Sequence, residues 1–95
     1  MELDERPVVW DASNLKHIER DHPERAISRR EVNEALSDPQ RVETIEVRKG
    51  VRHHASTGAT ATGRLLVVVW VDDDDGRYPV HARRAGRPAA RRYYR

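Results

Sequence analysis

Arg64-Leu65-Leu66-Val67-Val68-Val69-Trp70-Val71 holds the longest apolar run in the chain. Seven consecutive apolar residues, mostly β-branched, bounded by Gly63 and Asp72, read as a central strand covered on both faces. The run is far short of the roughly 20 residues a membrane span needs. Turn signals flank it on both sides. Thr60-Ala61-Thr62-Gly63 closes a hairpin with the preceding segment, and Asp72-Asp73-Asp74-Asp75-Gly76 closes another with the following one.

Working outward, residues 77–83 form a further strand, with Pro79 placing it at an edge or at a position that needs no donor. Upstream, residues 51–58 read as a polar strand, Arg48-Lys49-Gly50 as a turn, and residues 42–47 as a strand of rough alternation. Consecutive short hairpins make the sheet antiparallel.

Two helices precede the sheet. Asp11 is an N-cap for a helix over about residues 12–20, with Leu15 and Ile18 on one side and His22-Pro23 ending it. Ser28-Arg29-Arg30-Glu31 is a capping box. Val32, Ala35 and Leu36 follow as one apolar stripe, Ile27 is placed to staple onto Val32, and Asp38-Pro39 stops the helix. Gly86-Arg87-Pro88 opens a short C-terminal helix. The expected class is α+β: two N-terminal helices, a four-stranded antiparallel sheet and a short C-terminal helix. Residues 1–7 read as a loose leader and residues 8–95 as one domain.

With 95 residues, 37% of them hydrophobic, the chain supports one modest core. It has no cysteine, so neither a disulfide framework nor thiolate metal ligation is available. The acidic start, Met1-Glu2-Leu3-Asp4-Glu5, lacks the basic-then-apolar order of a signal peptide. A soluble, cytoplasmic protein is expected. The net charge of +2 conceals a segregation: residues 77–95 carry seven Arg and no acid, and the other 76 residues sum to −5. Such a tail faces a polyanion, and the guanidinium fork suits phosphate.

Five pieces of sequence, in order, resemble the BrnT family of type II toxins. They are Trp10-Asp11-x-x-Asn14-x-x-His17-Ile18-x-x-x-His22, Val32-x-x-Ala35-Leu36-x-Asp38-Pro39, Gly58-x-Thr60-x-x-Gly63-Arg64-Leu65-Leu66-Val67-Val68-Val69, Ala82-Arg83-Arg84-Ala85 and Arg91-Arg92-Tyr93. The resemblance implies a fold similar to the RelE and ParE toxins and metal-independent cleavage of RNA that inhibits translation. It also implies neutralisation by a partner antitoxin, often of ribbon-helix-helix type, with oligomers in that complex. The chain departs from many relatives at Asp21-His22-Pro23, where they read His-Gly, and at Ala59, where they carry Arg.

Such cleavage needs a base for the ribose 2′-OH, an acid for the leaving 5′-oxygen, and cations for the charge on phosphorus. His17 shares a helix face with Asp21 and is the first candidate for proton transfer. His22 ends the same helix and reads equally as a cap. His81 stands where the Arg-rich tail begins. His53 and His54 are adjacent in a strand and point to opposite faces, so they cannot share a site. Arg83 and Arg84 are the candidates for holding the scissile phosphate, with one of the two facing the cleft. Arg87, Arg91 and Arg95 are read as a helical stripe that, with Arg92, grips RNA backbone. Tyr93 has two open readings, stacking on a base and covering the core. The four-Asp loop lacks calcium-loop spacing, and no ligand pattern for zinc is present, so no metal or cofactor is expected. The competing function is a catalytically silent basic module that docks an acidic antitoxin segment or nucleic acid.

Overall fold

Leu66, Val68 and Trp70 point to one side of the sheet, and the two N-terminal helices sit on that side. The computed structural model of the chain describes residues 2–95. Its elements run α1 (Ala12–Glu19), a 3-10 turn (Pro23–Arg25), α2 (Arg29–Ser37), β1 (Val42–Arg48), β2 (Val51–Ala59), β3 (Leu65–Asp73), β4 (Gly76–Arg84) and α3 (Arg87–Tyr93). The four strands lie in the order β1-β2-β3-β4, every neighbour antiparallel. This is the α+β arrangement expected from the sequence, with two helices before the sheet and one after it. No helix is long and apolar enough to cross a membrane.

Alternation along β3 divides its residues between two layers. Leu66, Val68 and Trp70 are essentially buried and join Ile18, Ile27, Val32, Ala35, Leu36 and Ala82 in the core. Trp70 donates its indole N–H to the Ser56 hydroxyl at 2.8 Å and stacks on His54 with ring centroids 3.8 Å apart. Val67 is 5% exposed, but Val69 and Val71 are only half-buried. The expectation of a strand covered on both faces therefore holds at the Val67 end alone, because the third helix is too short to span the sheet.

Both helix starts carry reciprocal caps. Asp11 accepts from the Asn14 amide at 3.0 Å, and the Asn14 side chain accepts from Asp11 at 2.9 Å. Ser28 and Glu31 repeat the exchange in α2. Gly58 lies directly beneath α2: a Cβ there would stand 3.0 Å from the Ala35 carbonyl carbon and 3.3 Å from its Cα, closer still to the oxygen. This contact lets β2 and α2 approach backbone to backbone.

Two expectations are corrected. Residues 4–7 are docked, not loose. The Pro7 carbonyl accepts from the Arg77 amide at 2.8 Å, Val8 forms a parallel bridge with Arg77, and Arg6 pairs with Asp72 at 2.6 Å. Asp4 accepts from buried Arg41 through its carbonyl. Met1 lies outside the described residues. Arg77 itself does not belong with the surface cations of the tail. It is 4% exposed and donates to the carbonyls of Leu36 at 3.0 Å and Arg6 at 2.7 Å. Burial, then the nearby Arg41 charge, lowers its pKa. The side chain links the C-terminal end of α2 to the N-terminal segment. Replacing Arg77 with Met is expected to cost about 1–3 kcal/mol, the range for a buried acceptor left unsatisfied. Denaturant melts check this, and an unchanged midpoint would show that water replaces both bonds.

Candidate active site

Asn14 sets the position of α1 against the sheet. Its side-chain amide donates to the carbonyls of Val9 at 3.0 Å and Pro79 at 3.1 Å. The helix is thereby fixed beside β4, and His17, one turn further on, faces the same strand. Within β4 the register with β3 shifts between Val69 and Trp70, so that Val80 is the extra residue of a bulge. Bulges re-aim the side chains that follow. His81, aligned with Val69, reaches the end of α1.

Three candidate histidines come together here. The rings of His17 and His22 are 5.4 Å apart, edge to face, and those of His17 and His81 are 6.4 Å apart. His17 Nδ1 lies 3.4 Å from an Asp21 carboxylate oxygen, and His22 Nδ1 lies 3.4 Å from Glu24. With Nδ1 of His17 turned to a carboxylate, its proton belongs there and Nε2 is left to accept.

Arg25 completes the group, and sequence reading missed it. Its guanidinium is 3.4 Å from His81 Nδ1 and 3.4 Å from the Ala82 carbonyl. A guanidinium can only donate, so Nδ1 of His81 accepts and this ring is neutral. Burial, followed by the charges of Arg25 and Arg83, lowers the His81 pKa in agreement with that geometry. Arg25 is held in turn by Arg64, which donates to the carbonyls of Arg25 at 2.5 Å and Ala26 at 2.6 Å and pairs with Glu31 at 3.0 Å. Ala26 adopts the left-handed conformation with φ 50°. Nothing in local sequence signals this loop as a site, since its anchor lies 39 residues away.

Arg83 and Arg84 separate. Arg83 follows His81 by two residues and pairs with Val67, and its charge is felt at His81. Arg84 pairs with Leu66, and alternation sends it to the other side. Only Arg83 therefore joins the histidines. Both are exposed.

The C-terminal helix begins three residues after Arg84. Arg87 and Arg91 share a face of α3, and Arg92 is also exposed. Arg95 lies beyond the helix, which ends at Tyr93 with Tyr94 as its cap, so the three-residue stripe is corrected to Arg87 and Arg91. No described acidic side chain pairs with Arg83, Arg84 or the arginines after them. Tyr93 serves the packing of α3. Its hydroxyl donates to Asp38 at 2.5 Å, at the end of α2, and this bond, with burial, pushes its pKa up to about 12. Its ring meets Tyr94 edge to face at 4.9 Å, and Tyr94 is 70% exposed.

His53 and His54 lie away from this cluster. His54 stacks on Trp70 and approaches Asp72 at 3.1 Å, and His53 contacts the Val51 carbonyl. The acidic β3–β4 turn begins at the end of β4 opposite to Arg84, about 27 Å away along a nine-residue strand. Among the described residues, no group of three or more His, Cys, Asp or Glu is arranged to hold a metal ion. No protein-family model matches the chain, and no curated protein matches it at a significant level.

Proposed function

We propose that the chain is a metal-independent endoribonuclease toxin of the BrnT kind, acting on RNA in the cytoplasm, inhibiting translation and silenced by a partner antitoxin. The observation that carries the reading is the meeting of His17, His22 and His81 with Arg25, beside Arg83 and an acid-free arginine tail. The resemblance of the sequence to that family supplies the reaction class.

The chemistry follows from the nitrogen atoms. His17 Nε2 takes the proton of the ribose 2′-OH, with Asp21 holding the ring. The 2′-oxygen attacks phosphorus, and the bond to the 5′-oxygen breaks. His22, against His17, returns a proton to that leaving oxygen. The product is a 2′,3′-cyclic phosphate and a 5′-hydroxyl. His81 donates through Nε2, and Arg25 and Arg83 supply the cations that stabilise the developing charge. Arg87, Arg91, Arg92 and Arg95 hold flanking backbone.

Purified protein incubated with RNA in EDTA tests this reading. Cleavage with cyclic-phosphate ends is expected, and Arg83→Ala is expected to slow it more than Arg84→Ala. Cleavage abolished by EDTA would overturn the metal-free route. RNA retained without cleavage would favour the silent binding module, in which the same arginines dock nucleic acid or an acidic antitoxin segment.

A further inference from the structure

A cleft of about 280 Å³ opens beside His17, lined by Ser13, Asn14, His17, Tyr78 and Val80. It lies outside the cluster that performs the proposed proton transfers, and His17 is the one side chain the two share. Its size falls just below the roughly 300–1,000 Å³ of pockets for drug-sized ligands, which suits a single planar ring system.

The walls are prepared for such a ring. Tyr78 is half-buried, and its hydroxyl is held on both oxygens of Asp11 at 2.9 and 3.0 Å. That anchorage, at the cap of α1, fixes the plane of the aromatic ring. Val80, set out of register by the bulge, adds an apolar wall. Asn14 forms a floor already satisfied by two carbonyls. Ser13 is exposed in the first turn of α1 and brings a hydroxyl that can donate or accept. An aromatic wall, an apolar wall and one adaptable hydroxyl are what a nucleobase needs: a face to stack on and a partner for its edge.

We infer that this cleft is a nucleobase subsite, holding the base of the nucleotide whose 2′-OH is activated by His17. The inference rests on the ribonuclease reading for the identity of that nucleotide. The polymer it fits is single-stranded RNA, because a base must leave its stack to enter a side cleft. Tyr78 and Ser13 then act as specificity residues, and neither takes part in proton transfer.

Titration with nucleoside 3′-monophosphates, followed by NMR on the ring protons of Tyr78 and the histidines, tests the subsite without requiring turnover. Inorganic phosphate is the comparison ligand. Phosphate is expected to perturb the histidines and leave Tyr78 unmoved, and a nucleotide is expected to perturb both and to bind at least tenfold more tightly. Tyr78→Leu is expected to lower nucleotide affinity about tenfold, equivalent to about 1.4 kcal/mol, with phosphate affinity unchanged. Should Tyr78→Leu loosen the cap of α1, Ser13→Gln at an exposed helix position fills the cleft instead and is expected to give the same loss. Nucleotides that bind no more tightly than phosphate, or leave Tyr78 unmoved, would overturn the subsite. Binding through Tyr78 by a protein that does not cleave RNA would support the subsite and overturn the ribonuclease reading. Cleavage at every base alike would do the reverse.

Discussion

Gly58→Ala is expected to lower the melting temperature by about 12–24 °C. Gly58 faces the backbone of α2, and an added Cβ would stand inside contact distance of the Ala35 carbonyl group. Ala35 is itself fully buried, and its neighbours Val32 and Leu36 are at 0% exposure. An overpacked side chain can often turn to another rotamer, but a main-chain carbonyl in the last turn of a packed helix cannot. The helix must move away from β2 and pull its apolar stripe off Leu66 and Val68. Overpacking typically costs about 1–3 kcal/mol, and a rigid backbone obstacle puts this site at about 3 kcal/mol. For a domain of this size each kcal/mol moves the melting point by about 4–8 °C. Gly86→Ala is the control. Gly86 caps α3 at φ −82° with only Pro88 nearby, at 3.9 Å, so a cost of at most about 1 kcal/mol is expected. Equal melting points for the two variants would mean that α2 stands further from the sheet.

Local chemistry made the elements legible. Ser28 and Glu31 mark a helix start through a bond that spans three residues, and Leu65 to Val71 mark a strand by their own shape. Lys49 and Gly50, at φ 51° and 77°, make the tight turn between β1 and β2 that the sequence suggested. What escaped the sequence depends on distant partners. Arg77 looks like its tail neighbours by composition, yet carbonyls from Leu36 and Arg6 draw it inside. The N-terminal segment has no periodicity, and its hold on the fold comes from the edge of β4.

The site divides along the same line. His17, His22 and His81 were legible as residue types able to move protons near neutral pH. Their meeting was not legible, because it requires Asn14 to bind the carbonyl of Pro79 and a bulge at Val80. Arg25 was invisible for a further reason. Its role comes from a loop shaped by Arg64, and Arg64 itself read as the first residue of a strand.

His17→Gln is expected to reduce cleavage about 10²–10⁴-fold, the usual contribution of a positioned general base, with little change in melting temperature because His17 lies near the surface at the helix end. The fall should appear in kcat, since the arginines proposed to hold the substrate remain. The pH profile separates His81 from His17. His81 must be neutral to accept from Arg25, and its protonation would set two cations against each other and displace the phosphate clamp. Its pKa is lowered in the fold by burial first and by Arg25 next. The folded protein therefore binds this proton less readily than the unfolded chain. The associated stability is fully present above about pH 6.5, the ordinary histidine value, and is lost as pH falls through the lowered one. In His17→Gln, where the base no longer titrates, the residual activity should follow, with an acid limb below that of a free histidine. Arg25→Ala removes the cation and opens the ring to water. Both changes raise the His81 pKa, so the acid limb of the residual activity moves to higher pH. His17→Gln leaves Arg25 beside His81, so that limb should stay on the acid side of about 6.5 while the rate falls. An acid limb that Arg25→Ala leaves unmoved would show that another group sets the acid side of the reaction, and would remove His81 from the phosphate clamp.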